Sequence, residues 1–164
     1  MTRHGHSTGG TPATRVLADA GVPFTERPYE HDPAAPSYGL EAATALGVEP
    51  ARVFKTLLVD TGAGLAVGIV PVDTTLDLKK MAAALGAKRV RMADVKDAER
   101  VTGYVAGGIS PLGQRRALPT VLDASATGHA TVLVSGGRRG FDVELAPDDL
   151  AALTKATVAP LAAG

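Results

Sequence analysis

The sequence contains no cysteine and no tryptophan, and aromatic residues make up only 4% of its 164 positions. The missing thiols exclude disulfides, a thiolate nucleophile and every cysteine-based zinc site. With so few aromatics, the core must be built from alanine, valine and leucine. No apolar run approaches membrane-spanning length, and the polar residues 1–10 lack the apolar stretch of a secretory signal. The expected location is therefore the cytoplasm. Net charge is also missing, since 17 Lys and Arg balance 17 Asp and Glu. A protein that holds nucleic acid by charge alone is usually more basic. Of the four histidines, His4 and His6 fall in the N-terminal leader. Thr2-Arg3-His4 would chelate copper or nickel if Met1 were removed, but this reads as accidental. No dedicated metal site and no cofactor are expected.

What is present fits one soluble domain. Hydrophobic residues make up 45% and charged residues 21%, and a chain of this length buries about 70% of its unfolded surface. Residues 1–10 read as a disordered leader and 11–164 as the domain. Thr11-Pro12 opens a helix that runs through Val16, Leu17 and Ala20 and stops at Gly21. Residues 24–29 alternate like a strand and end in the turn Glu30-His31-Asp32-Pro33. Ser37 caps a second helix, closed by Gly47, with Leu40, Ala43, Ala45 and Leu46 expected inward. Residues 52–59 and 65–72 form a hairpin around Thr61-Gly62-Ala63-Gly64. A helix over 76–85, a short strand over 90–92 and a helix over 93–101 follow. Strands are expected near 118–122, 131–134 and 141–145, with a last helix from Pro147 to about Thr154. Helices and strands mix without a regular βαβ alternation, which predicts an α+β fold around a mixed or barrel-like sheet.

The stretch 102–113 carries four glycines and one proline in twelve residues, together with Tyr104, Val105, Ile109 and Leu112. Glycine and proline make it poor helix and poor interior strand, yet its apolar residues anchor it in a core. Two readings are open: a tight turn between strands, or a loop that brings backbone close to a ligand. Ser110 precedes Pro111 outside any Gly-x-Ser-x-Gly context, so a nucleophile elbow is unsupported.

Lys55 is the second signal. It lies in a strand that is apolar on both faces and shares its face with Val53, Leu57 and Val59. An ammonium there snorkels outward, finds an anion or lowers its pKa. It is either a guard against edge-to-edge pairing or a cation in a cleft awaiting a phosphate or carbonyl oxygen. Val134-Ser135-Gly136-Gly137-Arg138-Arg139-Gly140 reads as a hairpin turn or a second ligand loop, in which Ser135 and the Gly136 amide would meet an anion or a ribose. Its spacing is not that of a P-loop or a dinucleotide fingerprint. Asp142 and Glu144 alternate along 141–145, and one face there could reach a cleft. His31 could serve as a base, although a turn histidine bonded to local backbone is the plainer reading. Basic clusters at Lys79-Lys80, Lys88-Arg89-Arg91, Arg115-Arg116 and Arg138-Arg139 are a solvated surface or a grip on phosphates.

Taken together, these residues resemble the YbaK family of free-standing aminoacyl-tRNA editing proteins, and within it the Cys-tRNA(Pro) deacylase branch. The resemblance covers almost the whole chain from Thr11. It rests on Tyr29-Glu30-His31-Asp32-Pro33, Val53-Phe54-Lys55-Thr56-Leu57-Leu58-Val59, Leu76-Asp77-Leu78-Lys79-Lys80, residues 102–114 and residues 134–145. It implies a single α+β domain with a barrel-like sheet surrounded by helices, and removal of a mischarged amino acid from the 3′ end of tRNA. Lys55 matches the functional lysine of the family, and Gly107-Gly108-Ile109-Ser110-Pro111 matches its Gly-x-x-x-Pro loop. Tyr29, Tyr38, Ser135 and Asp142 fall at positions that line its pocket, and some relatives carry phenylalanine at position 38.

In the cysteine-specific branch the substrate's own thiolate attacks its ester and leaves as a cyclic thiolactone. The resemblance thus implies an enzyme that folds its substrate into a reactive geometry and needs no nucleophile. Amides near Gly107 and Gly108 would steady the carbonyl oxygen, and Lys55 would hold the terminal adenosine or its phosphate. The implied partners are the acceptor end of tRNA(Pro) and prolyl-tRNA synthetase. A related deacylase for alanine or another mischarged small amino acid, a non-catalytic module that binds tRNA or a synthetase, and a small-molecule phosphate binder stand as alternatives.

Overall fold

Thr11 starts the first helix as one half of a capping box. Its Oγ1 accepts the Thr14 N–H at 3.2 Å, and Thr14 Oγ1 accepts the Thr11 N–H at 3.0 Å. The computed structural model describes residues 10–35 and 37–163. The rest of the expected leader, with His4 and His6, lies outside the described residues. Helix α1 (Pro12–Ala20) ends at Gly21 in the left-handed conformation and buries Ala13 and Leu17. Helix α2 (Tyr38–Leu46) has Ser37 as its cap and Gly47 in the same role. Its inward face is Ala42 and Ala43, supported by Leu46, whereas Leu40 and Ala45 are exposed. The inward face is thus rotated from the expected one, with Ala42 and Ala43 packed with Val53, Val72 and Leu133.

The strands form two main layers. A five-stranded sheet has the order β5-β2-β3-β6-β9, from β2 (Phe54–Asp60), β3 (Leu65–Pro71), β5 (Arg91–Met92), β6 (Thr120–Asp123) and β9 (Thr157–Ala159). The β2–β3 hairpin is antiparallel, while β6 joins β3 and β9 joins β6 in parallel. A three-stranded antiparallel sheet has the order β1-β8-β7, from β1 (Thr25–Pro28), β7 (Val132–Arg138) and β8 (Phe141–Leu145). A parallel bridge from Val53 to Leu133 links the two layers, which gives the expected barrel-like arrangement. A third pairing joins β4 (Thr75–Leu76) to β10 (Ala162–Ala163).

The main core lies between the layers, where Phe54, Leu58, Ile69 and Leu122 meet Val134, Phe141, Val143 and Leu17. On the outer face of the large sheet, Val59, Val70 and Val121 pack with Met81 of α3 (Leu78–Leu85). Alternation along β2 therefore sends even positions between the layers and odd positions outward. Helix α4 (Val95–Thr102) adds Ala98 to the main core, and α5 (Pro147–Thr154) adds Leu150.

Three differences from the sequence expectation concern strands. Leu76, expected to open a helix, belongs to β4, and Asp77 caps α3 from Leu78. β7 continues through Ser135, Gly136 and Gly137, with a register shift between Ser135 and Arg138, so this segment is a bulged strand and not a loop. β9 and β10 follow the last expected helix: β9 pairs along β6, and the chain beyond it is held by Asp123. Its Oδ1 accepts the Leu161 and Ala162 N–H groups at 2.7 and 3.0 Å.

Candidate active site

The site begins as a gap in a sheet. β3 pairs with the whole of β2, but β5 meets β2 only at Val59 and Asp60. Further along that second edge, Val53 is bridged to Leu133. Between these two points no described strand closes on β2. Val72 N–H donates to the Val53 carbonyl at 2.8 Å, and Ala93 N–H donates to the Leu58 carbonyl at 3.0 Å. Antiparallel alternation then turns the backbone groups of Thr56 away from β3 and toward the opening.

A cleft of about 430 Å³ occupies this gap. It wraps the free edge of β2, so Lys55 from the outer face and Thr56 from the inner face both line it. Leu57, Leu58, Ala98 and Ile109 make its apolar part, and the start of α2 and the glycine-rich loop form its rim. Among the sequence-predicted residues, Tyr29, Tyr38, Lys55, Gly107, Ser135 and Asp142 all line this cleft. They come from six separate segments of the chain.

Burial sets the electrostatics. It lowers the Lys55 ammonium below the usual lysine range, with Asp73 opposing the shift. Asp142 is 6% exposed, and its carboxyl is pushed up to about 7 by burial. The Tyr29 phenol is pushed up to about 12, first by burial and then by the nearby charges of Asp142 and Glu41. Both cleft serines are occupied locally. Ser37 Oγ accepts the Leu40 N–H at 3.3 Å, and Ser135 Oγ accepts the Gly137 N–H at 3.1 Å.

Four predicted site residues lie elsewhere. Gly108 is buried against the β7–β8 turn, where a Cβ would stand 2.7 Å from the Arg138 Cα. Its N–H donates to the Val105 carbonyl at 2.9 Å, so that amide is already used. Ser110 is fully buried; its Oγ accepts the Leu112 N–H at 3.1 Å, and its carbonyl accepts Gln114 Nε2 at 3.0 Å. Pro111 is buried beside it. Gly136 lies under the Phe141 ring, and its carbonyl accepts the Thr11 hydroxyl at 2.5 Å. These residues hold the loop and the strand in place without facing the cleft. Gly107 differs, since no described residue takes its N–H, and its φ of 85° suits glycine.

The flanking groups also have fixed places. His31 Nδ1 meets Glu41 Oε1 at 2.9 Å, a side-chain partner in place of the expected backbone one. Arg139 lies over the Tyr38 ring at 5.3 Å and donates from Nε to the Ala106 carbonyl at 2.8 Å, which fastens the rim. Arg138 lies over Phe141 at 4.4 Å. Glu144 shares the Asp142 face of β8 but is engaged by Arg27, Arg52 and Thr131. Among the described residues, no group of three or more histidine or carboxylate side chains stands ready to hold a metal ion. No helix among them is long and apolar enough to cross a membrane.

The family model of the aminoacyl-tRNA editing domain matches residues 32–153. The chain is 39% identical over 153 residues, 92% of each chain, to EbsC of Enterococcus faecalis, described as a candidate Cys-tRNA(Pro)/Cys-tRNA(Cys) deacylase. A stretch of 73 residues is 34% identical to the proline–tRNA ligase of Desulforamulus reducens, covering 44% of this chain and 13% of that enzyme. A solved structure described as a candidate trans-editing enzyme for prolyl-tRNA synthetase superposes with a TM-score of 0.81. It is 29% identical and covers 97% of this chain and 99% of its own.

Proposed function

This chain belongs to the aminoacyl-tRNA editing (YbaK) family, and we propose that it serves there as a trans-editing deacylase that removes cysteine mischarged onto tRNA(Pro). One observation about the cleft supports this reading most directly. Its polar lining includes a half-buried cation, Lys55, but its serine hydroxyls are engaged as local acceptors. Such a site positions a substrate that carries its own nucleophile, and a cysteinyl ester does so.

In the proposed reaction the cysteine sulfur attacks its own ester carbonyl carbon. A carbon–sulfur bond forms, the carbon–oxygen bond to the ribose breaks, and the thiol proton ends on the ribose oxygen. Cysteine leaves as a four-membered thiolactone, which water opens. Lys55 holds the terminal adenosine or its phosphate. The Gly107 N–H steadies the carbonyl oxygen as charge develops. Gly108 takes no part in this, because its N–H is given to Val105. Tyr29 and Asp142 bound the side-chain pocket, and Tyr38 forms its rim.

Prolyl-tRNA synthetase is the expected partner, supplying the choice of tRNA that a chain without net charge does not achieve by charge alone. Deacylation of Cys-, Ala- and Ser-charged tRNA(Pro), with Cys-tRNA(Cys) beside them, tests the reading. Cysteine should be released fastest from tRNA(Pro). Turnover of the alanyl ester alone would reassign the substrate, and binding without turnover would make the protein a non-catalytic module.

A further inference from the structure

Thr56 was not singled out in the sequence, and the structure gives it an unusual position. Its Oγ1 is buried and has no hydrogen-bond partner among the described residues. A buried hydroxyl left unpaired costs about 1–3 kcal/mol, so a native protein rarely keeps one without a reason. Valine has the same shape and would carry no such cost. Thr56 shares the inner face of β2 with Phe54 and Leu58, and it lines the cleft where Leu58, Ala98 and Ile109 make the wall apolar. The sheet gap also turns the Thr56 backbone toward that opening. An unpaired hydroxyl beside the apolar wall of a substrate cleft suits a polar atom that arrives with the substrate.

We propose that Thr56 is a specificity-determining residue of this cleft, and that its hydroxyl bonds the side-chain sulfur of a cysteinyl ester. The proposal rests on the deacylase reading for the identity of that ester. An ammonium group does not suit a wall of leucine, alanine and isoleucine, whereas a thiol is small and largely apolar. The hydroxyl accepts a bond from a thiol and donates one to a thiolate, so it serves the sulfur before and after ionisation. An alanyl methyl offers no partner and leaves the hydroxyl unpaired. Sites that pair a substrate polar group reject analogues lacking it far better than sites that sense only size.

The test uses the full chain and two non-hydrolysable ligands, the 3′-amide analogues of cysteinyl- and alanyl-adenosine, with affinities from calorimetry. The wild type should favour the cysteinyl analogue by about tenfold or more. Thr56→Val should bring the two affinities within about twofold, while Thr56→Ser should keep the preference. The melting temperature of Thr56→Val should not fall, because an orphaned hydroxyl is removed. If valine fails to fold, Thr56→Ala carries the same expectation. A valine variant that keeps the wild-type preference overturns the proposal, as does a serine variant that loses it. Binding does not require turnover, so the two readings separate. A preference abolished by Thr56→Val in a protein that deacylates nothing supports Thr56 and removes the deacylase. Rapid cysteine release with an unchanged preference in Thr56→Val removes the role of Thr56 alone.

Discussion

Asp142 and Glu144 stand two residues apart on the same face of β8, yet their surroundings shift the two carboxyls in opposite directions. Glu144 is partly buried, which works against its charge, but the Thr131 hydroxyl, Arg27 and Arg52 outweigh that and hold it below the usual range. Its stabilising effect is therefore present above the ordinary glutamate pKa and is lost as pH falls. Glu144→Ala should lower stability at pH 7 by about 2–3 kcal/mol, since two arginines lose their partner. Denaturant titrations should show the gap to wild type narrowing below about pH 4. Deacylation by the folded fraction should be unchanged, because Glu144 serves the sheet and not the cleft.

Asp142 should behave in the reverse sense. Its folded-state value near 7 lies above that of an unfolded aspartate, so the native state keeps a proton that the unfolded chain has lost. Wild-type stability should then fall as pH rises from about 4 to 7, by on the order of 4 kcal/mol if the whole shift is expressed. Asp142→Asn should not show this slope. Parallel melts at pH 5 and pH 8 decide the matter: the variant should gain on the wild type at the higher pH. Equal slopes would mean that Asp142 is ionised and solvated in the native protein.

Much of this arrangement was legible in the chain because its signals are local. Thr11-Pro12, Ser37 and the closing glycines at 21 and 47 mark helix ends through their own backbone chemistry. Lys55 is conspicuous because charge is out of place in an apolar strand. Glycine is more ambiguous, since it permits close approach without saying to what. Gly107 approaches the cleft, but Gly108 and Gly136 approach the protein's own backbone and the Phe141 ring. The same ambiguity made residues 135–137 read as a loop when they form a bulged strand. Thr56 gave no signal at all, because threonine is ordinary in a strand and only the absence of a partner sets it apart. β10 likewise depends on a carboxylate 38 residues from Leu161, a contact invisible to local pattern.

Lys55→Ala should separate stability from function. Burial lowers the lysine pKa, so its charge is held at a cost in the folded state. Replacing it should leave the melting temperature at pH 7 unchanged or slightly higher. The cation expected to hold the substrate is lost, however, and kcat/KM for Cys-tRNA(Pro) should fall by about 100-fold or more. Undiminished deacylation by a folded Lys55→Ala protein would remove the role given to this residue.

Gly107 and Tyr38 define the rim, and substitutions there should affect the reaction more than the fold. A Cβ at position 107 would stand 2.8 Å from two carbons of the Tyr38 ring, and the φ of 85° disfavours any side chain. Backbone strain of about 1–2 kcal/mol is expected for Gly107→Ala. Tyr38 is 42% exposed and can swing outward, so the variant should fold with a modestly lower melting temperature. The swing would pull the ring from Arg139, which also holds the Ala106 carbonyl, and the Gly107 N–H would lose its fixed aim. Deacylation by Gly107→Ala should therefore fall by at least about tenfold, as expected for a misaimed oxyanion donor. Tyr38→Phe keeps the ring and should stay within about twofold of wild type, since packing and not the hydroxyl shapes the rim. Comparing kcat for these two variants isolates the backbone from the phenol. A large loss in Tyr38→Phe would transfer the chemistry to the hydroxyl, and full activity in Gly107→Ala would deny the loop its part in the reaction.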